Sequence, residues 1–295
     1  MNSAVLPLSA WWLQACRMEV LSPKPGNVSP GREFSDASTR DFLLSAESAA
    51  AAFSGATRQS VGRTVLEAVR AVRQVVSHNT NLGIILLIAP LAAVPLRQSL
   101  EAGIETVLAG LTVQDSRDVY AAIRLAAPGG LGSAEEQDVA EEPSQTLREC
   151  MRLAADRDLI ALQYADGFRD VLGRGREWLR EAAVRTADQR QQVVELAVRL
   201  LAEFGDSLIA RKCGAEVSQW AAVLARRVLQ AGWPDGQMAS AAMVELDTFL
   251  RGDGHRRNPG TTADMTAAIL FAALRDGQLI MAADQFELAE NYGAD

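Results

Sequence analysis

The sequence Ser22-Pro-Lys-Pro-Gly-Asn-Val-Ser-Pro-Gly31 separates two segments of helix-forming composition. Its three prolines fix the backbone φ angle, remove hydrogen-bond donors and push the residues before them toward extended geometry. The stretch is therefore a rigid loop in a chain that otherwise has the pattern of helices. A single cation, Lys24, two glycines and free N–H groups suit contact with an anion or a nucleotide. A plain connection between helices is the alternative.

The segments on either side of this loop predict an all-α protein. Residues 8–21 are amphipathic, Ser38-Thr39-Arg40-Asp41 has the pattern of a capping box, and helical segments follow to the end of the chain. No segment has a convincing strand alternation. We predict a single multi-helix globular domain over residues 1–295, with a possible subdivision near 133–144 and a site formed by loops at helix ends.

Composition excludes several classes of function. With 295 residues and 48% hydrophobic content, the chain is long and apolar enough for a folded core. The net charge of −8 argues against a nucleic-acid partner or an anionic membrane surface, because both normally require a broad basic face. The most apolar stretch, 82–96, is interrupted by Pro90 and Pro95 and is too short to cross a bilayer. We expect a cytoplasmic protein with no membrane partner.

The spacing of the three cysteines does not match a disulfide-bonded or zinc-binding pattern. Cys16, Cys150 and Cys213 are odd in number and far apart, without a CxxC pair or nearby histidine ligands. Neither a set of disulfides nor a zinc site is indicated, so we expect buried thiols in a reducing compartment.

Four polar interruptions of the helical pattern hold the candidate site residues. They lie at 19–31, 79–83, 205–214 and 258–264. Glu19 falls in the last turn before the proline-rich loop, where a carboxylate opposes the helix dipole. A bound cation or a neighbouring arginine would favour it there, and a solvated glutamate is the alternative.

The last two interruptions also have structural explanations. Asp206 and Arg211 fit a solvated surface turn as well as a site. Thr261 and Asp264 have capping-box spacing, which needs no ligand. The functional interpretation is that N–H groups and threonine hydroxyls bind phosphate at the start of the last apolar helix, while Asp264 holds Mg²⁺ or a ribose hydroxyl.

In this order, the four interruptions resemble the motifs of the triphosphoribosyl-dephospho-coenzyme A synthase family. The first motif is similar to Glu19-Val20 followed by Ser22 to Gly26, and the second to Asn79-Thr80 with Gly83. The third is similar to Gly205-Asp206-Ser207 with Arg211 and Gly214, and the fourth to Pro259-Gly260 with Ala263-Asp264. The matches span residues 19–271, nearly the whole chain.

This resemblance implies an all-α transferase that breaks the bond between adenine and ribose of ATP and joins the triphosphoribosyl group to a hydroxyl of dephospho-coenzyme A. The product is a precursor of an acyl-carrier prosthetic group. Such a reaction needs an anion cradle for the triphosphate, Mg²⁺, a stabiliser for the cationic ribosyl transition state and a base for the attacking hydroxyl. The implied partners are ATP or a related nucleotide and a small-molecule acceptor, and a homodimer is plausible.

The resemblance assigns expected roles to the motif residues. Lys24 and Arg211 are expected to contact phosphate, Asp206 and Asp264 to bind Mg²⁺ or ribose hydroxyls, and Glu19, Asp36 or Asp206 to act in catalysis. Glu19 or Asp36 would serve as base or second metal ligand. The expected nucleotide-binding positions are Lys24, Pro25, Gly26, Asn79, Thr80, Gly83, Arg211, Gly260, Thr261 and Thr262.

Two departures from the family pattern leave alternatives open. Asn81 and Leu82 stand where the synthases carry a histidine and a lysine, and Gly31 to Asp36 replaces a segment with histidine and aspartate. These changes, with the 120–139 segment, resemble a divergent, archaeal-like branch. One alternative is a related transferase that makes a methanopterin- or furan-type one-carbon coenzyme. The other is a non-catalytic nucleotide-binding helical protein.

Overall fold

The computed structural model describes residues 7–129 and 132–287. In this part of the chain there are fourteen α-helices and no strand, which confirms the predicted all-α fold class. A π-helical turn at Asp170–Gly175 and a 3₁₀ turn at Ala283–Phe286 complete the regular structure. The helices are α1 Leu8–Leu21, α2 Thr39–Ser54, α3 Val61–Val75, α4 Leu82–Ala93, α5 Leu100–Ala109, α6 Val113–Ala126, α7 Leu147–Ala154, α8 Leu159–Asp166, α9 Arg176–Arg185, α10 Gln189–Phe204, α11 Ser207–Cys213, α12 Ala215–Gln230, α13 Gln237–Arg251 and α14 Gly260–Arg275.

Helix α14 lies at the centre of the fold. It packs against α1, α4, α8, α9, α10 and α11, and it is buried on nearly all sides because its sequence is apolar around the whole helix. Its first turn holds Gly260, Thr261 and Thr262, and Asp264 follows at the start of the second turn. A helix enclosed in this way fixes the position of the polar groups at its N-terminus.

The hydrophobic core consists of two clusters that share α10. The larger cluster joins α1 to α6 with α8, α9, one side of α10 and α14. The smaller one lies between α10, α11, α12 and α13. The smaller cluster supports the 205–214 segment from beneath. The predicted subdivision near 133–144 stays a prediction.

Local sequence explains two features of the helices near the site. The predicted capping box at the start of α2 is confirmed, because Ser38 and Asp41 exchange hydrogen bonds. Helix α4 continues through Pro90, whose missing N–H leaves the carbonyl of Leu86 without its usual helical donor. The buried Tyr164 hydroxyl donates to that carbonyl at 2.6 Å, which satisfies it.

The 205–214 segment differs from the predicted interruption. Residues Ser207–Cys213 form the short helix α11, which Asp206 caps, and Asp206 is buried. The solvated surface turn considered for this segment is therefore wrong for Asp206, whereas Arg211 is exposed. None of the helices described here is long and apolar enough to cross a membrane.

Candidate active site

One large cavity, of about 1100 Å³, lies where α1, α4, α11 and α14 meet, and it extends between α6, α7 and α8. Residues from all four predicted motifs line it. The predicted site residues on its wall are Glu19, Asp36, Asn79, Thr80, Gly83, Arg211, Gly260, Thr261 and Asp264. Lys24, Pro25, Gly26, Asp206 and Thr262 do not line it; they lie behind the wall and hold it in place.

Lys24 pairs with Glu19 instead of facing the cavity. Its side chain is fully buried, and its ammonium lies 2.8 Å from the Glu19 carboxylate and also contacts the Glu19 carbonyl. The phosphate contact expected of Lys24 does not fit this arrangement, because its donors are already used inside the protein. The pair also explains the carboxylate at the end of α1, since Lys24 is the cation that stabilises it there.

The proline-rich loop is mostly buried, so the expectation of free N–H groups for an anion is wrong. The N–H of Gly26 donates to Asp247 of α13 at 2.8 Å, and Arg251 donates to the Asn27 carbonyl at 2.7 Å. Gly26 has a φ of +73°, and a Cβ there would lie 2.5 Å from Leu250 Cβ. Close packing against α13 therefore requires glycine at this position, and Pro25 is buried beside it.

Asp206 connects α11 to α14. One carboxylate oxygen accepts the N–H of Ile209 at 3.0 Å, and the other accepts the N–H of Thr262 at 2.8 Å and its hydroxyl at 2.9 Å. Burial raises the pKa of Asp206, and these hydrogen bonds oppose the rise. The direct metal or catalytic role expected of Asp206 does not fit these contacts, which give it a positioning role.

The start of α14 also differs from both interpretations of its sequence. The helix begins at Gly260 with Pro259 as its N-cap residue, and no side chain caps it, so the capping box of Thr261 and Asp264 is wrong. The N–H and hydroxyl of Thr262 serve Asp206, which leaves neither for a phosphate. Thr261 remains at the cavity wall, where it accepts a hydrogen bond from Ser207 at 3.0 Å.

Among the described carboxylates that line the cavity and are not exposed, Asp264 is the one without a partner. Within residues 7–129 and 132–287 it has no hydrogen bond or ion pair. Burial raises the pKa of Asp264 well above its ordinary range; the charges of Glu19, Asp206 and Asp158 add to the rise and Arg211 opposes it. Burial raises the pKa of the Cys16 thiol, and the charges of Glu19 and Asp264 add to this rise.

Gly83 is required by the position of Asp264. A Cβ at Gly83 would lie 2.0 Å from Asp264 Oδ2, so only glycine lets α4 approach the carboxylate this closely. Beside it, Asn79 Oδ1 accepts the N–H of Leu82 at 3.3 Å, and the hydroxyls of Thr80 and Ser45 are 2.6 Å apart. The second motif thus forms the part of the cavity wall that packs against Asp264.

The two residues of the second motif that depart from the family pattern, Asn81 and Leu82, have different positions. Asn81 is buried and donates to the Phe42 carbonyl at 3.4 Å, whereas Leu82 is buried but reaches the cavity wall. Asp36 is exposed at the mouth of the cavity.

Cationic side chains lie on the α11 side of the cavity. Arg211 forms an ion pair with Asp158, whose other oxygen caps α8 at the Ile160 N–H. Sequence reasoning missed Asp158, and it also missed Lys212, which lies on the cavity wall next to Arg211. The rarity of lysine could have indicated Lys212, because the whole sequence contains two lysines, Lys24 and Lys212.

The donor set fits a magnesium ion that arrives with substrate phosphates. Among the described residues no group of three or more His, Cys, Asp or Glu side chains is placed to hold a metal ion. Mg²⁺ is commonly bound through one or two carboxylates together with substrate phosphates. Asp264, with its unpartnered oxygens, is available for that, and Glu19, whose charge contributes to the raised pKa of Asp264, is a second carboxylate on the same cavity.

Comparison with known proteins agrees with this geometry. The family model of CitG, ATP:dephospho-CoA triphosphoribosyl transferase, matches residues 7–281. The fold is similar to a crystal structure from Archaeoglobus fulgidus of a protein assigned as a triphosphoribosyl-dephospho-CoA synthase. The identity is 29% and the TM-score 0.63, over 80% of this chain and 99% of that one. A search of the curated proteins found no significant match. The four motif segments that meet at the cavity and the match over residues 7–281 place this chain in the CitG family.

Proposed function

We propose that this chain transfers the triphosphoribosyl group of ATP to a hydroxyl of dephospho-CoA and releases adenine. The observation that carries the proposal is the unpartnered Asp264 carboxylate, which faces a large cavity in a chain of this transferase family. The cavity, of about 1100 Å³, is at the upper end of the volumes typical of a single ligand, so it has room for two substrates. The family assignment does not favour the one-carbon coenzyme transferase or the non-catalytic protein.

The reaction exchanges one bond at C1′ of the ribose for another. The bond from C1′ to N9 of adenine breaks, and a bond from C1′ to the acceptor oxygen forms. The acceptor hydroxyl loses a proton and the departing adenine gains one, so the step needs no oxidant or reductant. Positive charge develops at the ribose in the transition state, and carboxylates close to it stabilise that charge.

Asp264 and Glu19 supply those carboxylates. Because its pKa is raised, Asp264 is suited to take the proton of the acceptor hydroxyl. Glu19 is held in place by Lys24 and contributes fixed negative charge beside it. When Mg²⁺ is bound with the ATP phosphates, it neutralises phosphate charge. Asp264 or Glu19 would be the protein ligand of the Mg²⁺. Asp36, at the cavity mouth, is a further carboxylate that lines the cavity.

The direct test is to incubate the purified chain with ATP, Mg²⁺ and dephospho-CoA and to separate the products by liquid chromatography and mass spectrometry. We expect free adenine and triphosphoribosyl-dephospho-CoA in equal amounts. Omitting dephospho-CoA or chelating Mg²⁺ should remove both products. ATP binding without adenine release under these conditions would overturn the proposal.

Two further expectations accompany the proposed activity. A cytoplasmic location would supply ATP and dephospho-CoA, and fractionation of cells that express a tagged chain tests it. A homodimer is the expected assembly, and sedimentation equilibrium of the purified chain measures it directly.

A further inference from the structure

The sequence uses lysine sparingly. Lys24 and Lys212 are the two lysines among 29 lysine and arginine residues. The structure accounts for Lys24, which is buried against Glu19. Lys212 has no such explanation: it lies on the cavity wall, half-buried, and forms no ion pair with a carboxylate in the described part of the chain.

The ammonium of Lys212 is poorly satisfied by the protein. In the described part of the chain it donates to Asn258 Oδ1, at 3.4 Å, which is long for such a bond. An ammonium has three donors, so at least two remain for a ligand. The end of the side chain lies beside the turn that follows α6, where a Cβ on Gly129 would be 3.6 Å from Lys212 Cε.

A role at the end of helix α11 does not explain this position. Cations often occupy the last helical turn because they interact with the exposed carbonyl groups there. Here the carbonyl of Lys212 already accepts a hydrogen bond from Arg256 at 2.8 Å, and the Ala210 carbonyl accepts the N–H of Gly214 at 2.9 Å. The ammonium is instead directed into the cavity.

Neighbouring groups make this wall attractive to an anion. Arg211 and Arg256 also line the cavity. Arg211 is paired with Asp158, whereas Arg256 has a long ion pair, at 3.8 Å, with the exposed Asp253. Burial lowers the pKa of Lys212; the charges of Asp206, Cys213 and Asp36 oppose this and Arg211 adds to it. A bound polyanion would complete the hydrogen bonds of the ammonium and raise its pKa again.

We propose that Lys212, next to Arg211 and Arg256, binds the polyphosphate chain of the nucleotide, the role that sequence motifs assign to Lys24. The ligand class is a linear triphosphate, either attached to ribose or free. The assignment to ATP rests on the proposed function, but binding of inorganic triphosphate does not. The role concerns substrate binding at Lys212 and leaves the bond exchange to the carboxylates.

Reductive methylation of amines provides the first test, because the chain has two lysine side chains. Peptide mass spectrometry of the folded protein should show rapid dimethylation of Lys212 and none of the buried Lys24. Saturating inorganic triphosphate should slow labelling of Lys212 at least about tenfold, since the amine then donates to phosphate. A Lys212 labelling rate unchanged by bound triphosphate would overturn the assignment.

Calorimetric titration with inorganic triphosphate provides the second test. Lys212→Met should weaken binding about 10- to 100-fold, as expected for loss of a charge-assisted hydrogen bond, and Lys212→Arg should recover part of it. Arg58→Met removes a charge at an exposed turn outside the cavity and should bind like the wild type. Thermal melting of each variant confirms that it is folded.

The outcomes separate this proposal from the proposed function. Triphosphate binding that depends on Lys212, in a chain that releases no adenine, would keep the site and reject the activity. Adenine release with an unchanged KM for ATP in Lys212→Met would reject the site and keep the activity. Equal triphosphate affinity of Lys212→Met and wild type would also reject the site.

Discussion

Asp206 and Asp264 have similar sequence settings but opposite structural roles. Both lie in polar interruptions beside a helix start, and burial raises the pKa of both. Asp206 uses both carboxylate oxygens to join α11 to α14, whereas Asp264 has no partner and faces the cavity. A buried carboxylate with its hydrogen bonds completed stabilises a fold. One without them costs stability and is available for chemistry.

The two lysines repeat the contrast. Lys24 is fully buried and neutralises Glu19, while Lys212 is half-buried and has one long hydrogen bond. Lys24 fixes Glu19 on the cavity wall, and Asp206 fixes Thr262 in the turn of α14 that precedes Asp264. Lys24 and Asp206 therefore act as satisfied groups behind the wall, whereas Asp264 and Lys212 on the wall are left with unused hydrogen-bonding capacity.

The largest expected effect is on activity in Asp264→Asn. Loss of a proton acceptor or metal ligand typically lowers kcat about 10²- to 10⁴-fold. The folded state should not be destabilised, because the raised pKa of Asp264 means that its ionised form costs folding free energy at neutral pH. Adenine release and thermal melting measure the two effects. Asp235→Asn, at an exposed turn, is the control, and near-normal turnover in Asp264→Asn would contradict the account.

Lys24→Met should act on stability first. It leaves the Glu19 carboxylate buried without its cation, which typically costs about 3–5 kcal/mol. Urea unfolding measures the loss, and affinity for inorganic triphosphate should persist in the fraction that remains folded. A stable Lys24→Met protein that has lost triphosphate binding would show instead that Lys24 contacts phosphate.

Asp206→Ala should lower the free energy of unfolding by about 2–4 kcal/mol. It removes the cap of α11 and the hydrogen bonds to the Thr262 backbone and hydroxyl. Urea unfolding again provides the measurement, with Asp235→Ala as the control. A variant as stable as the wild type would mean that Asp206 does not hold the two helices together.

Gly83→Ala should destabilise the fold less than Lys24→Met or Asp206→Ala. Its Cβ would overlap the Asp264 carboxylate, so the structure must shift, at a typical cost of about 1–3 kcal/mol. The shift would also move Asp264 and lower kcat. Gly173→Ala is the matched control, because a Cβ there meets nothing within 4 Å. Equal kcat in the two variants would contradict the close approach of α4 to Asp264.

Local patterns predicted the helices and the order of the motifs, but not which motif residues face the cavity. The capping box of Ser38 and Asp41 depends on residues three apart, and it formed as predicted. The partner of Asp206 is 56 residues away, and the partner of the Gly26 N–H is 221 residues away. Contacts of that kind depend on how helices pack, so the sequence could not separate the predicted residues that line the cavity from those that support its wall.

The most direct test compares single-turnover adenine release by Asp264→Asn and Asp206→Asn, each corrected for its folded fraction. The account predicts a folded Asp264→Asn protein with at least about a 100-fold loss of rate. It predicts an Asp206→Asn protein that melts earlier but retains most of its rate per folded molecule. The reverse pattern, an active Asp264→Asn and a stable but inactive Asp206→Asn, would contradict it.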